Sequence, residues 1–341
     1  MKNKQIIECL LCGSSAQLSY YNFPGYQEPE TFEIFHCQLC NTAFSLPRVE
    51  TTKIYENIYK NGASVPGYDR YWKYAQTVKN ISNPLKYLSD AEETYWGVNE
   101  ALSLFPLEKG TSKILEIGSG LGYLTYSLIK ANYNALGLDI SQTAVAQATK
   151  TFGDYYICAD LFDYADLNSE TYDIVILTEV IEHIDKPLGF IEAIKKLLKP
   201  EGRAIITTPN KSLFPIDIIW ATELPPVHCW WFSEESMKFI ANKINVKISF
   251  IKFGNYYQNK SRVIDLKILR ETPSQKPILN KNGKLINQTL IKENTFKTYF
   301  SLFIIKMLYF KYKYLRLKKL TNQDVINCND RSIILCSIFQ K

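Results

Sequence analysis

The sequence predicts an α/β fold, a mostly parallel sheet with helices on both faces, and three observations carry the prediction. Between Lys113 and Thr208 short apolar strands alternate with amphipathic helices. The first strand runs into a glycine-rich turn, Gly118-Ser119-Gly120-Leu121-Gly122, and carboxylates stand at the ends of the next two strands, Asp139 and Asp160. Repeated βα units of this length build an open sheet covered on both sides.

A chain of 341 residues exceeds one usual domain, so a principal domain with accessory modules is expected. Apolar residues make up 46% and charged ones 22%, which excludes disorder as the main state. The net charge of +6 is too small to mark a nucleic-acid protein, and the basic residues gather late, at Lys311, Lys313, Arg316, Lys318 and Lys319. Met1 to Ser15 holds no apolar run of signal-peptide length, so the cytoplasm is the expected location. Eight cysteines without such a signal point to metal ligands, catalytic groups or core fillers, not to a disulfide framework.

Residues 1–48 carry Cys9, Cys12, Cys37 and Cys40 as two CxxC pairs joined by a segment containing Pro24, Gly25 and Pro29. Four thiolates suit tetrahedral zinc, and a module this small gains its folding energy from the metal. Because the ligands fill all four positions, the zinc is expected to be structural. A redox CxxC is disfavoured by the second pair, and His36 beside Cys37 is a lesser candidate ligand. Residues 49–110 are rich in tyrosine and tryptophan and broken by Pro66, Pro84 and Pro106. They read as helices whose rings either pack onto the next domain or line the mouth of its site.

Residues 111–254 hold the alternation. Strands are expected at 113–117, 135–139, 155–158, 172–178 and 203–208, with helices at 123–131, 142–151 and 188–198. Apolar runs at 246–253 and 332–339 are expected to complete one edge of the sheet, making 331–341 its final strand. Residues 255–330 read as a helical insertion. Its stretch 296–320 has apolar residues at helical spacing followed by a basic run, and its uncharged part is too short to cross a bilayer. It either packs on its own protein or makes a peripheral membrane contact.

The glycine turn carries the first chemical signal. Glycines between a strand and a helix let backbone approach a ligand, but GxGxG preceded by Glu116 differs from the GxGxxG of dinucleotide binders. Asp139 is placed to accept both hydroxyls of a ribose, and Asp160 an exocyclic amine, with Leu161 and Phe162 flanking the ring. These residues, with the run Tyr172 to His183 and the later Leu197-Leu198-Lys199-Pro200-Glu201-Gly202 to Asn210, resemble class I methyltransferases that use S-adenosylmethionine (SAM). The resemblance spans about a hundred residues and implies a Rossmann-like domain with a SAM site at Glu116, Gly118, Ser119, Gly120, Gly122, Asp139, Asp160, Leu161 and Glu179. In detail the chain is similar to ubiquinone-type O-methyltransferases and to enzymes of glycan and secondary-metabolite clusters, some of which carry an N-terminal zinc module. Glu201 departs from the family, which often has a second glycine there.

Glu179, Glu182 and His183 fall on one face if a helical turn begins at Glu179, and could relay protons or bind a divalent cation. His228, in Leu224-Pro225-Pro226-Val227-His228, follows the fifth strand, where the family contacts its substrate. The motif resembles a Pro-Pro-His element of glycan-cluster enzymes and the distal histidine of small-RNA 2′-hydroxyl methyltransferases, whose Glu-x-x-Glu-His cluster holds magnesium. Alternatively Glu182 and His183 only cap a helix. Cys158, Cys229, Cys328 and Cys336 have no ligand spacing and are expected in the core. The expected activity is methyl transfer to a small-molecule hydroxyl, such as that of a sugar or glycan precursor, with His228, His183 or Glu179 as catalytic groups. The rivals are metal-dependent RNA ribose methylation, sugar C- or N-methylation, and SAM binding without turnover.

Overall fold

The computed structural model describes residues 5–215, 218, 224–258, 262–266, 277–286, 325–328 and 330–341. The amphipathic stretch 296–320 lies outside them. Four antiparallel strands open the chain: β1 (Ile6–Glu8), β2 (Ser15–Pro24), β3 (Thr31–Cys37) and β4 (Ala43–Leu46). The aromatic region forms α1 (Thr52–Asn61), α2 (Asp69–Thr77), α3 (Pro84–Ala91) and α4 (Glu93–Ser103). Pro84 in the first turn and the Asn83 side chain, which accepts from Lys86 N, start α3.

The alternation follows: β5 (Lys113–Ile117), α5 (Tyr123–Lys130), β6 (Asn134–Asp139), α6 (Gln142–Phe152), β7 (Tyr156–Cys158), α7 (Leu161–Leu167), β8 (Tyr172–Thr178), α8 (Pro187–Leu197) and β9 (Leu198–Pro209). Then come β10 (Trp230–Trp231), α9 (Glu234–Lys243), β11 (Lys247–Phe250), α10 (Gly254–Tyr257), β12 (Arg262–Asp265), β13 (Val325–Cys328) and β14 (Ile334–Gln340).

The main sheet has the order β11-β14-β9-β8-β5-β6-β7, with β7 to β9 parallel and β14 and β11 antiparallel at one edge. The two late apolar runs thus take the edge positions expected of them. Successive side chains of a strand face opposite ways, so Leu115 and Ile117 of β5 and Val175 and Leu177 of β8 enter one core, while Ile114, Ile174 and Ile176 enter the other. Burial on both faces explains why these strands read as unbroken apolar runs. The order in which successive strands are added switches from one side of β5 to the other between β7 and β8, and open sheets of this kind bind ligands outside the carboxyl ends at the crevice between β5 and β8.

The amino-terminal sheet is not self-contained. Its fifth strand is β10, pairing Trp230 with Phe44 and Trp231 with Ala43, and Phe44 packs on Trp230 with ring centroids 5.6 Å apart. Cys9, Leu11, Phe35 and Phe44 share one continuous core with β5, β8, α8 and α9. Of the four cysteines expected in the core, Cys229, Cys328 and Cys336 are buried, but Cys158 is exposed, because β7 is the sheet's edge strand and its last residue faces outward. Among the described residues no helix is long and apolar enough to cross a membrane.

Candidate active site

The glycine turn is tied to β6 by Gly118 N and Ser119 N, which donate to Leu138 O at 2.8 and 3.1 Å. Gly118 has φ +71°, and a Cβ there would meet Val180 Cγ2 at 2.5 Å, so only glycine fits. A Cβ on Gly120 would meet nothing closer than Gly118 O at 4.0 Å, so this side of the turn is open to a ligand. Glu116 lies beneath the turn, where it accepts a short hydrogen bond from Thr125 Oγ1. Burial raises its pKa to about 8. Leu161 at the start of α7 and Ser119 within the turn are buried, and Ser119 Oγ has no partner among the described residues.

Asp139 is buried at the end of β6. Its Oδ2 accepts from Gly120 N and its Oδ1 from Ser141 N, both at 2.8 Å. These amides fix the carboxylate against the glycine turn while leaving each oxygen further acceptor capacity. Ile140, next in the chain, is 73% exposed and Phe162 47% exposed. Two large apolar side chains are thus left open near neighbouring strand ends, of which sequence reasoning singled out only Phe162. Asp160 caps α7, with Oδ1 accepting from Phe162 N at 2.7 Å and Asp163 N at 3.4 Å.

Glu179 does not begin a helical turn. Its φ is +53°, its amide donates to Thr207 O, and only Ile181–His183 form a 3-10 turn. The expected common face of Glu179, Glu182 and His183 is therefore absent. Glu179 Oε1 is buried without a hydrogen-bond partner among the described residues, and burial lifts the carboxyl to about 7 against the pull of Thr207 and Arg70. Nor do Glu182 and His183 merely cap a helix. Glu182 is fully buried, its Oε2 accepts from Thr208 Oγ1 at 3.0 Å, and its Oε1 lies 3.9 Å from His228 Nε2.

The two histidine rings sit edge to face with centroids 4.6 Å apart. His183 Nδ1 is 2.6 Å from Val227 O and 2.9 Å from Tyr55 Oη. A carbonyl only accepts, so Nδ1 carries the proton and Nε2 keeps its lone pair. Burial lowers the pKa of His183 to about 4 and that of His228 well below its ordinary value, the latter helped by His183 and Arg70. Both rings are neutral at pH 7.

Tyr55, Tyr59 and Tyr71, from the aromatic stretch read as either packing or lining the mouth of the site, lie at that site together with Arg70, which the sequence did not single out. Tyr55 and Tyr59 lie one turn apart on α1, Tyr55 against His183 and Tyr59 within the field of Asp139, so this helix spans both halves of the site. Arg70 donates to Tyr71 Oη at 2.7 Å and pairs with Glu92 at 3.3 Å. Tyr71 stacks on Tyr123 at 6.3 Å, and Tyr123 opens α5 directly after the glycine turn. The aromatic region thus both packs and roofs the site.

In the amino-terminal module, Cys9, Cys12, Cys37 and Cys40 bring their sulfurs within 4.8 Å of one another, with Cys9–Cys40 at 3.7 Å and Cys12–Cys37 at 3.5 Å. A tetrahedron with metal–sulfur bonds of about 2.3 Å needs sulfurs roughly 3.8 Å apart, so the four fit one ion. His36 instead pairs through Nε2 with Asn41 Oδ1 at 2.9 Å.

A family profile described as a methyltransferase domain matches residues 90–248. The ubiquinone biosynthesis O-methyltransferase of Aliivibrio fischeri is 31% identical over 109 residues, 30% of this chain and 45% of that protein. The mitochondrial protein of the same description from Mus musculus is 31% identical over 134 residues, 35% of this chain and 36% of that one. The chain therefore spans less than half the length of either relative. Among solved structures, phosphoethanolamine N-methyltransferase 2 of Haemonchus contortus, in complex with SAM, covers 88% of this chain and 62% of its own at 16% identity and a TM-score of 0.43.

Proposed function

We propose that this chain, whose residues 90–248 are a class I SAM-dependent methyltransferase domain, methylates a hydroxyl of a small-molecule acceptor such as a sugar or glycan precursor. The observation that carries the reading is the Glu182–His183–His228 cluster, Glu182 and His228 buried and His183 half-buried, set after the ends of β8 and β9, beyond the crevice that the glycine turn opens. An alcohol must lose its proton as it is methylated, and a cluster of lone-pair nitrogens backed by a carboxylate serves that need.

Gly118, Ser119, Gly120, Gly122, Asp139, Asp160 and Leu161 would hold SAM, which supplies an already activated methyl group when bound. The open face of Gly120, the fixed Asp139 carboxylate and the exposed Ile140 and Phe162 suit a nucleoside, and the orphaned Glu179 Oε1 lies at the end of the neighbouring strand. With the donor activated, the chain's work is positioning and proton removal. His183 is locked in one tautomer by Val227 O, and a charge forming on His228 is met by Glu182 Oε1. The four thiols would hold a structural zinc, since they fill a tetrahedron and leave no open position.

A second reading, metal-assisted methylation, is favoured by the ligand atoms of Glu182, His183 and His228, which all lie within 4.8 Å. Two neutral imidazoles and a carboxylate suit manganese, iron or zinc better than magnesium, which takes oxygen. Incubation with labelled SAM and either a sugar and sugar-nucleotide panel or RNA tests the main reading. Label entering only the small molecules supports it, and label entering only RNA overturns it. Loss of transfer on adding a chelator at a concentration that leaves the thiol-bound zinc in place by metal analysis selects the metal reading.

A further inference from the structure

A pocket of about 300 Å³ opens on the seam between the cysteine module and the methyltransferase domain. Its walls are the module's exit segment, including Ser45, Arg48 and Thr51, and on the opposite side His183, Asp185 and Pro226. One wall is therefore a member of the histidine cluster.

Arg48 is the cationic side chain of this lining. Its guanidinium lies over the Trp230 ring at 4.5 Å, and its Nη1 donates to Cys229 O at 3.1 Å. Stacking fixes the plane and the carbonyl fixes the rotation. The remaining edge, Nε and Nη2, is the side that binds two oxygens in parallel, and both nitrogens are buried without a hydrogen-bond partner among the described residues. Asp185 Oδ1 stands 3.6 Å from Nε, beyond hydrogen-bond length, and its side chain is 64% exposed. The carboxylate thus holds the charge in place without satisfying the fork.

We propose that Arg48 is a specificity-determining residue that anchors an acceptor bearing a two-oxygen anionic group, a phosphate or a carboxylate, in the seam pocket beside His183. The inference rests on the reading of the cluster as the acceptor side of a methyltransferase, and it narrows the acceptor to an anionic small molecule. A preorganised fork binds such a group at little cost in ordering, and the Asp185 carboxylate swings into solvent as the anion enters. The cysteine module would then contribute to acceptor choice as well as to stability.

The test uses the full chain and inorganic phosphate and acetate as probes, followed by calorimetry, so it needs no methyl transfer. Arg48→Gln should weaken binding of both probes by about tenfold or more. Arg48→Lys, which keeps the charge and loses the fork, should fall between wild type and Arg48→Gln, and Asp185→Asn should bind more tightly than wild type. Unchanged SAM affinity in each variant shows that the fold is intact. Equal probe binding by wild type and Arg48→Gln, or no binding to wild type at tens of millimolar, overturns the proposal. Once an anionic acceptor is in hand, Arg48→Gln should raise its KM while sparing kcat. Methylation confined to neutral acceptors would overturn the anionic assignment and leave the methyltransferase reading standing.

Discussion

The chemistry of single residues was legible where backbone constraint writes itself into residue type. Gly118 must be glycine because Val180 fills the space of any Cβ, and Asp139 ends its strand where two amides can hold it. The reading of Glu179, Glu182 and His183 failed at one dihedral. A residue that leaves the helical region separates its side chain from those three and four positions on, and nothing in the residue type of Glu179 announces φ +53°. His228 was found by its place after the fifth strand, whereas its partnership with Glu182 is a long-range contact that no spacing encodes. The burial of both histidines sets the first prediction. A base works in its unprotonated form, so activity persists above the folded-state pKa and is lost as pH falls through it. With His183 at about 4 and His228 also lowered, the acid limb of kcat should lie well below 6.5. His228→Ala should lower turnover by about 10² to 10⁴ while sparing SAM affinity, as for loss of a general base. An acid limb at 6.5 would mean the working rings are exposed during turnover, and full activity in the variant removes His228 from the mechanism.

Four strands of the parallel sheet and the helices α5, α6 and α8 were legible to within a residue, because strands buried on both faces must be apolar throughout and the helices between them amphipathic, whereas β9 begins five residues before the expected 203 and α7 was not foreseen. Strand β10 was not. Two tryptophans after a histidine carry no alternation, and their pairing with Phe44 and Ala43 is decided by contacts nearly two hundred residues apart. Likewise α1 read only as part of an aromatic, proline-broken stretch, since its role rests on which strand ends Tyr55 and Tyr59 happen to reach. The turn between β5 and α5 offers the test at this scale. Gly118→Ala should destabilise the domain by about 1 to 2 kcal/mol from the left-handed backbone alone, and by more as Val180 is displaced. Because that displacement moves the turn that faces the ligand, SAM affinity should fall with stability, by thermal unfolding and calorimetry respectively. A stable variant with weakened SAM binding would instead place the effect in direct contact.

At the scale of the whole molecule the cysteine module and the methyltransferase domain are one mechanical body. The carbonyl of Cys40 accepts from Ser233 Oγ and Ser236 Oγ, both at 3.1 Å, and these two serines form the capping box that starts α9. Thr42 Oγ1 bonds Ser236 Oγ at 2.6 Å, and Ser45 N and Arg48 Nη1 both donate to Cys229 O, the residue after His228. The four cysteines were legible as a metal site from their spacing, but this linkage was not, because serines and backbone carbonyls carry no distinctive pattern. It changes what metal loss should do. If zinc folds only an appendage, Cys9→Ser removes the metal and leaves the rest untouched. With Cys40 coupled to α9 and β10, the loss should spread along the seam to His228 and stop before the glycine turn, which is anchored to β6 on the far side of the sheet's crevice. Metal analysis should find close to one zinc per wild-type chain and less in Cys9→Ser. Hydrogen exchange should then quicken in residues 228–236 while β5 and β6 stay protected, and turnover should fall more than SAM affinity. A variant that loses zinc yet keeps wild-type protection in β10 would show that the module folds without the metal and that the seam holds without it.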